Sequence, residues 1–406
     1  MTDPSPRDWT GAETGRGWAD ALAPDARALV LEAACWQDRQ APDSPHAAAF
    51  EAIAERASAE GQEALAQYFT PPDVALAAAA ALPLPCDVLD PSAGKGSLLI
   101  AAGVLMGVVH GIRGPEILRR LHGVEICPET RDALVANLVR ALAPWHGLPE
   151  AEARTIVEAR METADFLAWT GRMDDKAVLT NPPYKEVAGR NPWIDFLQKI
   201  LAARPSAVAA IVPVALSCSA RTQRLRDAMA AWPSVRALHH EIRPRPLFPG
   251  VEQRITLAVL RRDLAAGYET TGFVTHRARQ REGLWQAPTV RFPAFRPEAF
   301  DKVAPADLAF HAAQQTGPAL AAIGAAETPV EVWIRISGRY HLVAQREAPV
   351  EITSKWKRIL LPPSAADLLI AAFADGTALR WWRIFGDGRD FPVRRFLQTW
   401  RPAQAG

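Results

Sequence analysis

Between about Gln62 and Leu260 short apolar runs alternate with longer stretches of helical texture. That alternation builds a parallel sheet with crossover helices, because parallel neighbours cannot be joined by a tight hairpin. The pattern predicts strands at Asp87–Leu89, Gly123–Ile126, Ala177–Leu179, Ala207–Val212 and Ala237–Glu241. Arg254–Leu260 is rich in β-formers but follows a loop rather than a helix, so it is expected as an antiparallel strand late in the sheet. Upstream, residues 1–60 are alanine-rich and read as a helical extension with breaks near Pro24 and Pro42. After Asp263 aromatics, arginines and prolines interleave without a period. The expected division is therefore 1–60, 61–262 and 263–406, in a chain of 406 residues that can bury more than one core.

Charge separates the same parts. Arg236 to Gly406 carries 24 Lys and Arg against 16 Asp and Glu, whereas residues 1–235 carry 22 against 29. The split suggests that the C-terminal part faces a polyanion, although uneven composition alone produces such sums. Four scattered cysteines and no C-x-x-C pair give reduced thiols, a cytoplasmic setting and no metal site as the plain expectation. No basic segment followed by an apolar one opens the sequence, and the most apolar stretch, Leu98 to Val109, is too short to span a bilayer. It reads as a buried helix, and no membrane partner is expected.

Val88 to Leu99 reads strand, glycine loop, helix, with Gly94 and Gly96 permitting close backbone approach to a ligand. Two familiar phosphate loops do not fit. Leu89 stands where a P-loop needs its first glycine, and Leu99 stands where a dinucleotide loop needs its last. Asp90 before the loop opposes a pyrophosphate and suits a cation such as a sulfonium. Glu125, near the end of the next strand, is placed to accept from ribose hydroxyls. The segment leading to it is longer than usual, so an insertion around His110–Arg119 is expected. Asp165 suits an adenine amine, and Phe166 suits the ring's face. Each acidic residue alone would more often be a solvated turn or a cap. Their order along one sheet favours a shared ligand.

Asn181-Pro182-Pro183-Tyr184 follows the run Ala177-Val178-Leu179. A proline-stiffened loop at a strand's carboxyl end offers two carbonyl acceptors and an aromatic face, which suits holding a planar amine.

Taken in order, Phe69-Thr70-Pro71, Asp90-Pro91-Ser92-Ala93-Gly94, Glu125, Asp165-Phe166 and Asn181-Pro182-Pro183-Tyr184 resemble the gamma group of N6-adenine DNA methyltransferases of restriction–modification systems, over roughly Gly61 to Leu260. The resemblance implies a Rossmann-like class I methyltransferase sheet, an α/β fold, with a C-terminal mixed α+β DNA-recognition domain in 263–406. It implies S-adenosylmethionine as cofactor, with Thr70 at its methionyl end, Asp90 and Gly94 in its loop, Glu125 on its ribose, and Asp165 and Phe166 on its adenine. Asn181, Pro182 and Tyr184 would hold a flipped adenine of double-stranded DNA. Phe248, in Leu247-Phe248-Pro249-Gly250, would close the opposite face, unless it is ordinary core. The tetrad also occurs in enzymes acting on RNA bases or protein glutamine. A cofactor-binding, non-catalytic subunit of a defence complex is a further alternative. Residues 1–60 lack an acidic–acidic–lysine nuclease triad, so a modification-only monomer is expected, beside a separate restriction or defence subunit if there is one.

No motif marks the recognition region. Its candidates are Arg277, Arg279 and Arg281, the cluster Lys355, Lys357 and Arg358, and Arg383 beside Trp381-Trp382. They would neutralise phosphates or read guanine edges, or else form solvated faces over core tryptophans.

Overall fold

The computed structural model describes residues 12–39, 43–54, 70–337 and 341–402. The stretch from Gly61 to Phe69, including the first residue of the Phe69-Thr70-Pro71 element, lies outside the described residues.

One ten-stranded sheet dominates. Its strands are β1 (Glu13–Gly17), β2 (Val88–Asp90), β3 (Leu121–Glu125), β4 (Met161–Thr163), β5 (Ala177–Thr180), β6 (Ala207–Pro213), β7 (Ser234–His240), β8 (Ile255–Arg261), β9 (Gly267–Val274) and β10 (Pro288–Phe292). Their spatial order is β1-β10-β9-β7-β8-β6-β5-β2-β3-β4. From β4 to β6 every pairing is parallel. β8 then inserts antiparallel between β6 and β7, as its position after a loop predicts. This is the Rossmann-like α/β sheet expected above. All seven residues of β6 are buried, which fits a strand covered by helices on both faces.

The helix Ser97–Val108 fills one of those faces. Ten of its twelve residues, Leu98 to Gly107, are buried, as the apolar run predicts. Gly96 ahead of it sits at φ +98, where a Cβ would also strike the Leu134 side chain at 2.6 Å. A short helix, Glu116–Arg120, occupies the expected insertion.

Two readings need correction. The sheet does not stop at Asp263: β9 runs parallel to β7, and β10 pairs with β9. The N-terminal part is not wholly helical either, because β1 pairs with β10 and forms the sheet edge. None of these three strands alternates clearly in sequence. β1 has four exposed residues of five and two glycines, so its register comes from its partner and not from a buried stripe of its own. β4, only three residues long, carries too little pattern to be predicted from sequence.

A second layer follows. β11 (Val330–Arg335) lies between β12 (Val343–Gln345) and β13 (Trp356–Leu361) in an antiparallel sheet. The helices Pro363–Ala374, Thr377–Phe385 and Val393–Thr399 cover it, giving the expected α+β character. Its core is aromatic. Phe396 stacks on Trp400 at 4.8 Å and meets Trp381 edge-on at 4.9 Å. Trp381 and Trp382 are each 1% exposed, so both tryptophans are structural. Arg395 donates to the Phe385 carbonyl of its own layer at 2.7 Å and reaches the Cys218 carbonyl, in the segment after β6, at 3.2 Å.

Candidate active site

β2 and β5 are adjacent and parallel, yet the chain leaves β2 toward β3 on one side and enters β6 from β5 on the other. Loops diverge at such a point and open a crevice beyond the carboxyl ends. A cavity of about 470 Å³ lies there. Thr70, Asp90, Gly94, Glu125, Asp165, Phe166, Asn181 and Pro182 all line it. Eight of the ten residues predicted for cofactor and target thus share one space, although they span more than a hundred positions of sequence.

Asp90 ends β2 with 1% exposure. The Ser92 N–H donates to its Oδ1 at 3.0 Å, and the Ser92 hydroxyl lies 3.0 Å from that of Thr180. Burial pushes the Asp90 carboxyl up to about 7; the nearby Glu125 charge adds to this and the Ser92 bonds oppose it. An anion would raise it further, whereas a cation would relieve the cost.

Glu125 closes β3. Its Oε2 accepts from the Gly94 N–H at 2.9 Å and its Oε1 from the Cys127 N–H at 3.0 Å. Those bonds fix the carboxylate and leave lone pairs for further donors. Asp165 is exposed; its Oδ1 caps its own loop by accepting from the Leu167 N–H at 2.9 Å. Phe166 is 2% exposed and packs against Phe196 at 4.8 Å between ring centres.

Lys199 was not singled out in the sequence. It lies one helical turn beyond Phe196 in the helix Pro192–Ala203, and its ammonium sits 4.9 Å from the Phe166 ring centre. It donates to the carbonyls of Phe166 at 2.6 Å, Leu167 at 3.1 Å and Trp169. All three of its donors are thereby directed into one loop. Burial lowers its pKa. The only sequence signal was its i+3 spacing from a buried aromatic. Ser92 and Val187 also line or brace the cavity without having been assigned roles.

Beyond β5 the Asn181 Nδ2 donates to the Thr70 Oγ1 at 3.1 Å. Thr70 therefore contacts the tetrad itself. Tyr184 is buried, and its single hydroxyl proton has two acceptors within reach, the Asn181 Oδ1 and the Ile211 carbonyl, the latter at 2.8 Å. Neither Tyr184 nor Phe248 is among the cavity-lining residues. Phe248 is 2% exposed, so in this conformation both rings pack inward.

The basic candidates divide into two places. Arg277 and Arg279 are exposed on the loop after β9. Arg281, only two residues on, departs from the expectation. It is 4% exposed, and its Nε donates to Asp73 Oδ2 at 2.8 Å, so it is an internal strut and not a surface cation. Lys355 and Lys357 are exposed on or beside β13, Arg358 is paired with Glu331 at 3.0 Å, and Arg383 is half-buried on a core helix.

Among solved structures, the chain is 18% identical to the modification subunit of a candidate type I restriction enzyme from Vibrio vulnificus YJ016, over 54% of this chain and 50% of that one, with a TM-score of 0.37. It is 19% identical to a type I restriction-modification methyltransferase subunit from Streptococcus thermophilus, over 52% and 49% of the two chains, at 0.36. A candidate RNA methyltransferase from Pyrococcus horikoshii is also 19% identical, over 52% of this chain and 90% of that one, at 0.34. The chain spans about half the length of the two restriction-system subunits. No curated protein matches it. Residues 47–204 match the family described as N-6 DNA Methylase, and this segment holds the glycine loop, Glu125, Asp165 and the Asn181–Tyr184 loop.

Proposed function

We propose that this chain transfers a methyl group from S-adenosylmethionine to the N6 amine of an adenine extruded from double-stranded DNA. One observation carries the reading: Asn181 and Pro182 line the same cavity as Asp90 and Glu125. Acceptors for a planar amine thus face the groups suited to a sulfonium nucleoside. The residues fit that cofactor. The cavity is within the size range of ligand pockets, about 300–1,000 Å³. Asp90 gains from a cation, Glu125 keeps lone pairs for ribose hydroxyls, and Asp165 keeps an open oxygen. When bound, the cofactor supplies an electrophilic methyl on positively charged sulfur.

The protein's task is to present the amine. An exocyclic adenine nitrogen is a poor nucleophile because its lone pair is delocalised into the ring. Asn181 Oδ1 and the Pro182 carbonyl accept from its two N–H groups and turn the lone pair toward the methyl. Thr70 assists by taking the Asn181 NH2, which leaves Oδ1 pointing away from it. Tyr184 occupies Oδ1 meanwhile, and the Ile211 carbonyl gives its hydroxyl another acceptor when the amine arrives. The methylated nitrogen then loses one proton to water. Positioning of this kind needs no covalent intermediate. Tyr184 and Phe248 are assigned to the faces of the extruded base, which requires both rings to turn from their packed positions. Target recognition is assigned to the chain beyond the large sheet, and the cytoplasm is the proposed setting.

Incubating the purified chain with labelled cofactor and unmethylated genomic DNA, followed by nucleoside analysis, tests the reading. N6-methyladenine is expected. Label in RNA or protein but not in DNA would sink it, as would full activity of Asn181→Ala.

A further inference from the structure

The strands β5, β7 and β9 point the same way, so their following loops share one edge of the sheet with Asn181. The loop after β9 reads Thr275-His276-Arg277-Ala278-Arg279-Gln280-Arg281. Only His276 and Arg281 are buried, at 5% and 4% exposure. Both are anchors. His276 Nδ1 lies 3.1 Å from His240 Nε2, at the end of β7. Arg281 reaches three elements: its Nε donates to Asp73 at 2.8 Å, its Nη2 to the Leu247 carbonyl at 3.1 Å, and its main-chain N–H to Asp38 at 2.7 Å. Asp73 lies three residues from Thr70, which touches Asn181, and Leu247 precedes Phe248. The loop is therefore bolted to both walls proposed for the target base.

Between the anchors the chain turns outward. The Gln280 N–H closes a turn on the Arg277 carbonyl at 3.2 Å, and Arg279 takes φ +62. A left-handed arginine is sterically costly, and such positions persist only where surrounding structure fixes them. The turn directs Arg277 and Arg279 to solvent, and neither guanidinium has a hydrogen-bond or ion-pair partner among the described residues. Arg245, exposed in the Phe248 loop, is near enough to His276 to act on its charge. The two carboxylates that act on His276, Asp38 and Asp73, are both engaged by Arg281 from within.

We propose that Arg277 and Arg279, with Arg245 on the neighbouring Phe248 loop, form a ridge that grips the phosphates flanking the extruded base. Buried Arg281 acts as the positioning residue that holds the ridge against the Phe248 loop. The inference rests on the proposed reading of the chain as a DNA methyltransferase. It assigns phosphate grip to the large sheet's own edge and not to the Lys355–Arg358 cluster of the second layer.

Duplex binding by the full chain, followed by anisotropy across a salt series, tests it. In the variant Arg277→Gln/Arg279→Asn, asparagine tolerates the left-handed position. The slope of log affinity against log salt should fall by about 1.8, close to two phosphate contacts, with equal loss on every duplex sequence. Cofactor binding should be unchanged. Lys355→Gln/Lys357→Gln should leave the slope intact. An unaltered slope in the arginine variant, with the wild type binding duplex, overturns the ridge alone. A wild-type chain that binds cofactor but no duplex at low salt overturns the DNA reading, and the ridge with it.

Discussion

The parallel half of the large sheet and the aromatic second layer hold similar conspicuous residues but use them in opposite ways. Around β2, β3 and β5 the polar residues converge on a cavity and keep spare bonding capacity, as Glu125 and Asp165 do. In the second layer the eye-catching residues turn inward, and Trp381, Trp382, Phe391 and Phe396 pack on one another. The first region is organised by what it must leave unsatisfied, the second by what it must bury. Two arginines show the contrast within one loop: Arg279 faces water, and Arg281, two residues later, lies under it.

The harshest test of that contrast removes a ring from the second layer. Trp381→Ala should cost roughly 3–5 kcal/mol, because the ring is fully buried among Phe385, Phe391 and Phe396. Thermal unfolding should show the loss while calorimetric cofactor affinity stays within twofold at low temperature. Loss of cofactor binding in the still-folded variant would mean that the two regions form one energetic unit. Asn181→Ala should do the reverse. Its unfolding midpoint should barely move, and methyl transfer should fall about 10²–10³-fold, the scale of losing one preorganised polar contact to a reacting group. Rapid-quench assays would settle it, and a matching fall in cofactor affinity would show that Asn181 serves the cofactor instead.

The sequence disclosed the first region well because its chemistry demands particular residues at strand ends. Asp90, Glu125 and Asn181 each follow an apolar run, so strand and site were read together. The antiparallel placement of β8 was legible for another reason, because its β-forming run follows a loop rather than a helix. What was hidden depends on tertiary partners. β1, β9 and β10 lack strong periodicity and are ordered by pairing. Arg281 looks like its exposed neighbours until Asp73, more than two hundred residues away, is placed beside it. Tyr184 and Phe248 were identified by motif, but no motif states which way a ring turns in a given state.

A smaller effect is expected at Lys199, which sits outside every motif yet fastens the loop that carries Asp165 and Phe166. Lys199→Met keeps the stem and removes the donors to three carbonyls. The loop should loosen, and cofactor affinity should fall about tenfold, or about 1.4 kcal/mol, a modest share of three charge-assisted bonds. Calorimetric titration measures this without any nucleic acid present. Unchanged affinity would mean that the loop is held by the Phe166–Phe196 contact alone.

The smallest effect concerns protons. The Asp90 carboxyl is raised from 3.8 to about 7, chiefly by burial, so the folded chain binds a proton there that the unfolded chain releases. Unfolding between pH 4 and 7 therefore liberates a proton, and this group makes the unliganded fold less stable as pH rises across that window, with no further change above it. A cation in the cavity favours the ionised form and reverses the preference. Cofactor affinity should accordingly climb about fivefold between pH 6 and 7 and level off above, following the ionised fraction of a group with that pKa. Binding at pH 6 should release a proton, visible as a dependence of apparent enthalpy on the buffer's ionisation heat. The thioether product S-adenosylhomocysteine lacks the sulfonium charge and should show a shallower rise. Asp90→Asn should flatten the profile for both ligands. If the wild-type slope persisted in that variant, the titrating group would lie elsewhere, and the cavity's preference for a cation would lose its main physical support.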